Sequence, residues 1–242
     1  MSDSTDANIG GVALRMWGLM SPGSPCLLVL PDSDWPDERH VALLQSRLAK
    51  HSLAAVMPRL PGLWWLSRPE PGTPFETSPL AFLAETVVPW MQSELAPAAI
   101  GVLGVGRGGQ GAMQLAYRWP RAVPVVAAVA PLIDFHLLQR DDPVLVDVFP
   151  NSEAARQETA TLHLHPLNWP PHQWFAADPV DWDAFIGCDR LASKLSSIGI
   201  PFTSVLRDST GGDRERYRSE ILPRAVEFLA ARLSEVVQGA AR

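Results

Sequence analysis

The sequence predicts an α/β fold, with a mostly parallel central sheet covered by helices on both faces in a three-layer sandwich. Three observations predict it. Short, wholly apolar runs recur at Cys26–Leu30, Leu53–Met57, Ile100–Leu103 and Val125–Val129, as strands buried on both faces require. Segments with apolar residues at helical spacing alternate with these runs, the pattern of a parallel sheet. Finally, nothing along the chain reads as an interdomain linker, an internal repeat or a low-complexity tract.

Each element has its own signal. Cys26–Leu30 is a strand ended by Pro31 and Asp32, and Glu38–His51 a helix with Val41, Leu43, Leu44 and Leu48 at helical spacing. Leu53–Met57 is a strand stopped by Pro58, followed by a loop rich in proline and tryptophan from Gly62 to Pro74. Pro79–Glu94 is a helix whose first turn suits Pro79 and whose middle is kinked by Pro89 unless packing compensates. Ile100–Leu103, a glycine-rich turn and a helix over Ala112–Arg118 form the next unit, and Val125–Val129 is a further strand. The stretch from Asp134 to Pro171 has weak periodicity, with short helices near Val144–Phe149 and Glu153–Glu158. Gln173–Ala177 reads as strand, Arg190–Ser197 as helix, Phe202–Leu206 as strand and Arg218–Val236 as a closing amphipathic helix. Residues 1–10 are taken as a disordered lead-in and 11–242 as one domain.

Composition narrows the function classes. A hydrophobic content of 47% against 19% charged is ample for one sizeable core. Net charge is −6, which argues against a nucleic-acid partner. No stretch approaches the roughly 20 apolar residues of a membrane span, and Met1–Ala7 lacks the basic start of a signal peptide. Cys26 and Cys188 offer neither a disulfide framework nor metal-ligand spacing. A cytoplasmic location is the default expectation.

Gly104-Val105-Gly106-Arg107-Gly108-Gly109-Gln110-Gly111 joins a strand to a helix, and it has three readings. Glycines can serve only a tight connection. Gly104, Gly106 and Gly109 also satisfy G-x-G-x-x-G, the dinucleotide fingerprint. Two strands precede this one, however, and Val125–Ala130 lacks the acid that would grip a ribose. The third reading is a nucleophile elbow, G-x-S-x-G, with Gly104 and Gly108 in place and Gly106 where the serine belongs.

Here the chain resembles a known family. Gly104–Ala112 looks like the elbow G-x-S-M-G-G-x-G-A of the esterase D and S-formylglutathione hydrolase-like branch of the α/β-hydrolases. Trp64-Trp65-Leu66-Ser67-Arg68 resembles W-W-x-D-R of a group of bacterial esterases, and Ala130–His136 and Ala155–Pro179 resemble segments of the same group. The likeness runs over about residues 26 to 233. It implies the α/β-hydrolase fold, serine-esterase ancestry and no cofactor.

Ester hydrolysis on that fold needs a nucleophile, a histidine base, an acid to orient it and an oxyanion hole. The resemblance places the acid just past Gln173–Ala177, at Asp181 by spacing or at Asp178, each of which an ordinary turn could equally use. It places the histidine at Asp213, after Gly211 and Gly212, and the last histidine of the chain is His172. It gives one oxyanion donor to the Arg107 amide and the second to Pro31-Asp32-Ser33, where Asp32 brings a negative charge. Asp181 and Asp213 are expected to face each other, with Arg107 or Arg214 neutralising them.

His163, His165 and His172 with Asp178 could mark a metal site, but loop hydrogen bonding accounts for them and no metal is expected. Arg107, Asp32, Trp64 and Trp65 are candidate pocket residues, although tryptophans in long loops more often anchor packing. The chain is therefore expected to be a catalytically silent esterase homologue that binds a small acyl or ester-like ligand or a protein partner. The alternatives are an active hydrolase using other residues, such as Ser33 or an aspartate, and a structural subunit in a homo-oligomer or beside an active paralogue.

Overall fold

The structure, a computed structural model, describes residues 5–18, 21–34, 36–60 and 62–240. Eight strands form one sheet: β1 (Thr5–Ile9), β2 (Val12–Trp17), β3 (Cys26–Leu30), β4 (Ala54–Pro58), β5 (Ile100–Val105), β6 (Val125–Val129), β7 (His172–Ala176) and β8 (Thr203–Val205). Their order is β1-β2-β4-β3-β5-β6-β7-β8. The pairs β1–β2 and β2–β4 are antiparallel, and the remaining pairs are parallel. Every residue of β3, β4, β5 and β6 is buried, which is why those runs are continuously apolar.

The first departure from expectation is at the N-terminus. Residues 5–9 are strand rather than disordered lead-in, paired with β2 from Thr5↔Met16 to Ile9↔Val12. Gly10 and Gly11, both at positive φ, make the turn between them. Polar Thr5, Asp6 and Asn8 conceal this strand because it lies at the sheet edge, where one side and much of each face meet water. Residues 1–4 of the expected lead-in lie outside the described residues.

Among the described residues, eight α-helical segments accompany the sheet: α1 (Glu38–Lys50), α2 (Pro79–Phe82), α3 (Val88–Trp90), α4 (Arg107–Arg118), α5 (Pro143–Val148), α6 (Ser152–Arg156), α7 (Trp182–Ser197) and α8 (Arg214–Ala240). Around Pro89 the chain alternates α2 and α3 with wide π turns at Leu83–Val87 and Met91–Leu95. The proline lacks an N–H, and the wider turns keep the segment helical past it. α4, α7 and α8 begin five, eight and four residues before the periodic apolar pattern. The first turn of α4 carries glycines, and those of α7 and α8 carry charges around a single buried residue each, Ala184 and Tyr217.

α4 packs on β3, β5 and β6, while α8 packs on β5, β6 and β7 and against α1. The two therefore take opposite faces. Gly101 in β5 shows how closely α8 approaches, since a Cβ there would lie 3.1 Å from Leu233 Cδ1. A second apolar cluster of Trp64, Leu66, Phe135, Leu145, Phe149 and Ala155 is built by the segments that follow β4 and β6. Among the described residues, no helix is long and apolar enough to cross a membrane.

Candidate functional site

Strand register brings the central residues together. Leu30 of β3 pairs with Gly104 of β5 in parallel, so two residues further on Asp32 stands beside Gly106. Gly106 has φ 54° and ψ −117° at the start of α4, a strained geometry that an L-residue adopts only when its surroundings impose it. Its amide donates to Val129 O (3.0 Å) and its carbonyl accepts from Leu132 N (3.2 Å), which fix the turn between β5 and β6. The flanking glycines are steric necessities. A Cβ on Gly104 would lie 2.2 Å from Gly108 O, and one on Gly108 would lie 2.1 Å from Leu30 O.

Asp32 occupies the space above this turn. A Cβ on Gly106 would lie 2.0 Å from Asp32 Oδ2, so no larger residue fits at 106 while Asp32 keeps its position. Oδ1 accepts from the Arg107 amide (3.3 Å) and the Ser33 amide (2.9 Å). Oδ2 accepts from Nη2 of Arg218 (2.7 Å), a residue of α8. Both partners of this ion pair are buried, at 8% and 7% side-chain exposure. Such a pair is held by its geometry, because either charge alone would be costly there. Arg218 also donates to exposed Asp34 (2.9 Å).

A cleft of about 260 Å³ opens above Asp32, lined also by Asp34, Trp64, Arg107, Asp142, Asp183, Arg214 and Arg218. Arg107 is immobilised on one wall. Its guanidinium lies 4.4 Å from the Trp64 ring centre and donates to Gly62 O (3.0 Å) and Asp142 Oδ2 (2.7 Å). Trp65, expected beside Trp64 in the pocket, instead lies fully buried beneath α4. A Cβ on Gly111 would lie 2.4 Å from Trp65 Cβ, so the glycine at 111 makes room for it.

The segments after β7 and before α8 depart further from expectation. Asp178, two residues past β7, accepts from Val180 N (2.9 Å), Ser209 Oγ (2.8 Å), Thr210 N (2.8 Å), Thr210 Oγ1 (3.1 Å) and Gly212 N (3.4 Å). Burial pushes this carboxyl up, but the amides and hydroxyls outweigh it and bring it down to about 2. Asp181 does not meet Asp213. Arg214 takes Asp181 (2.7 Å) and Asp183 (3.3 Å), whereas Asp213 is exposed and accepts from Arg216 N (3.0 Å) as the cap of α8. The separation follows from the helix: capping turns the Asp213 carboxylate toward the first-turn amides. Arg107, the other expected neutraliser, is committed to Asp142.

The three histidines of the possible metal cluster are held separately. His163 lies 3.8 Å from Glu158, His165 accepts from Leu167 N, and His172 lies 3.9 Å from Glu235. Burial lowers the pKa of His163 and His172, favouring the neutral rings. Among the described residues, Asp37, His40 and Glu215 bring their ligand atoms within 4.8 Å of one another. Arg218 already balances Glu215 from 3.7 Å. Both cysteines are buried, with the Cys26 thiol pushed up to about 12 and Cys188 pushed up as well, so neither supplies a thiolate.

Arg218, Asp142 and Asp34 were not singled out by sequence reasoning. Arg218 reads there as the polar face of an amphipathic helix, and only the packing of α8 carries it to Asp32.

No protein-family model matches the chain, and no curated protein matches it. Solved structures do. An S-formylglutathione hydrolase from Staphylococcus aureus superposes with a TM-score of 0.72 at 14% identity, covering 95% of this chain and 98% of that one. An S-formylglutathione hydrolase from Agrobacterium tumefaciens gives 0.69 at 14% identity, covering 96% and 94%. MPT51 of Mycobacterium tuberculosis gives 0.68 at 13% identity, covering 94% and 99%. With the eight-stranded sheet, these likenesses establish the α/β-hydrolase fold, of the kind that esterases carry.

Proposed function

We propose that this chain is a catalytically silent esterase homologue that uses the remaining cleft for binding. In this reading Gly106 is the vacated nucleophile position, Asp178 the retained acid and Asp213 the replaced histidine. One observation carries the proposal: the Asp32 carboxylate fills the volume of a side chain at 106 and draws on the Arg107 and Ser33 amides together. Those amides are the donors that an oxyanion hole would aim at substrate. With its own carboxylate as acceptor, the site offers a developing oxyanion charge repulsion where the fold normally offers hydrogen bonds. The cleft, walled by Trp64 and Arg107, is left to receive a small acyl or ester-like ligand or a protein segment.

The test is turnover of p-nitrophenyl acetate and butyrate. The wild-type chain is expected to match a heat-killed control. Gly106→Ser with Asp213→His should remain silent, because the serine would collide with Asp32. Adding Asp32→Gly should restore measurable hydrolysis and labelling by a fluorophosphonate. Wild-type turnover that disappears in Asp32→Asn would overturn the proposal in favour of a hydrolase using that aspartate.

A further inference from the structure

Glu70 is a buried carboxylate with no salt-bridge partner among the described residues, 4% exposed. Its Oε2 accepts from Trp64 N (2.8 Å) and its Oε1 from Leu66 N (2.7 Å). The two bonds bracket Trp65, which sits at φ 57° in the left-handed region, a conformation that a bulky residue keeps only under constraint. Thr73 Oγ1 donates to the Glu70 carbonyl (3.0 Å) and holds the backbone that carries the carboxylate.

The clamped segment is a wall of the cleft. The Trp64 carbonyl accepts from Gln110 Nε2 of α4, and its indole donates to Asp142 (3.1 Å). The Arg107 guanidinium lies over the same ring. Trp64 and the guanidinium that faces the cleft are thus in contact, and both donate to Asp142.

We propose that Glu70 makes this wall pH-responsive: the ionised carboxylate fixes Trp64 and Leu66, and protonation releases one of them. Both carboxylate oxygens face N–H donors. A proton on either oxygen removes the charge from both bonds and leaves a hydroxyl that is the weaker acceptor, so the N–H bond to that oxygen is the one released. The charged groups around the clamp do not prevent this. Arg107 on α4 is bound to Asp142 at the start of α5, and Arg68 in the same loop faces Glu158. Burial pushes the Glu70 carboxyl up to about 7, although the amides of Leu66 and Trp64 and the charge of Arg107 pull the other way. The proposal concerns the wall alone and stands whether or not the cleft turns over an ester.

Intrinsic tryptophan fluorescence followed from pH about 5.5 to about 8.5, with circular dichroism as a check on folding, tests it. The wild-type chain should show a transition with a midpoint near 7 that is absent from Glu70→Gln. Should Glu70→Gln fail to fold, Trp64→Phe serves as the second variant. It keeps the clamped amides, so the same transition should lose roughly half or more of its amplitude. A wild-type chain without a transition overturns the proposal. So does a transition unchanged in folded Glu70→Gln, or one undiminished in Trp64→Phe.

Discussion

The two ends of the candidate site, at Gly106 and at Asp178, hold their carboxylates in opposite ways. At the Gly106 end a strained turn is permitted by the flanking glycines, with the Arg107 amide beside it. The Asp32 carboxylate, from the loop after β3, fills the space above it and is matched by a guanidinium. At the Asp178 end the carboxylate stands past β7 and is held by neutral donors alone. Five donors from Val180 and the 209–212 loop surround it. Removing Asp32 would open the volume above Gly106, whereas removing Asp178 would release the loop that it holds.

Arg218 gives the largest expected effect. In Arg218→Met, Asp32 would remain buried with only two amide donors and no cation, and removing one member of a buried ion pair costs about 3–5 kcal/mol. The urea midpoint should fall accordingly. Asp32→Ala combined with Arg218→Met should recover roughly half or more of that loss, since the uncompensated charge is gone. A single Arg218→Met variant as stable as wild type would show that the Gly106 end is not closed by this pair.

The parallel core was legible because buried strands must be apolar throughout, and Cys26–Leu30 and Val125–Val129 match the observed β3 and β6 residue for residue. Gly106 and Asp213 are proposed from the family resemblance, by their neighbours Gly104 and Gly108 in one case and Gly211 and Gly212 in the other. The Asp32–Gly106 contact needed the β3–β5 register, and the Arg218–Asp32 pair needed the packing of a helix 186 residues away. Neither leaves a periodic trace in the sequence. Hairpin strand β1 was missed for the opposite reason, because an edge strand with exposed Thr5, Asp6 and Ile9-adjacent polar positions looks like a tail. Trp64 and Trp65 are adjacent and chemically identical, so only the folded packing, with Trp65 against Gly111, tells which one lines the cleft.

Asp178 comes next in size. Asp178→Ala removes the acceptor for the whole 209–212 loop, and losing charge-assisted bonds at a buried site should cost about 2–3 kcal/mol. The pH dependence follows from the depressed pKa. A carboxyl at 3.8 when unfolded and about 2 when folded contributes stability that is fully present above about 3.8. That contribution is lost as pH falls through about 2. Acid denaturation of wild type and Asp178→Ala should therefore converge over that interval. Curves that stay parallel down to the lower pH would mean that this carboxylate does not hold the loop.

Asp213 carries the smallest effect, and it separates the two ends most directly. If its role is to cap α8, Asp213→Ala should cost about 1 kcal/mol, and Asp213→Asn or Asp213→Ser should restore nearly all of it. Each of those side chains can accept from the Arg216 amide. If instead the negative charge at 213 were needed for the cleft, Asp213→Asn would behave like Asp213→Ala in both stability and ligand binding. The capping geometry predicts that shape matters here and charge does not, the reverse of Asp32, where charge is matched by a buried guanidinium.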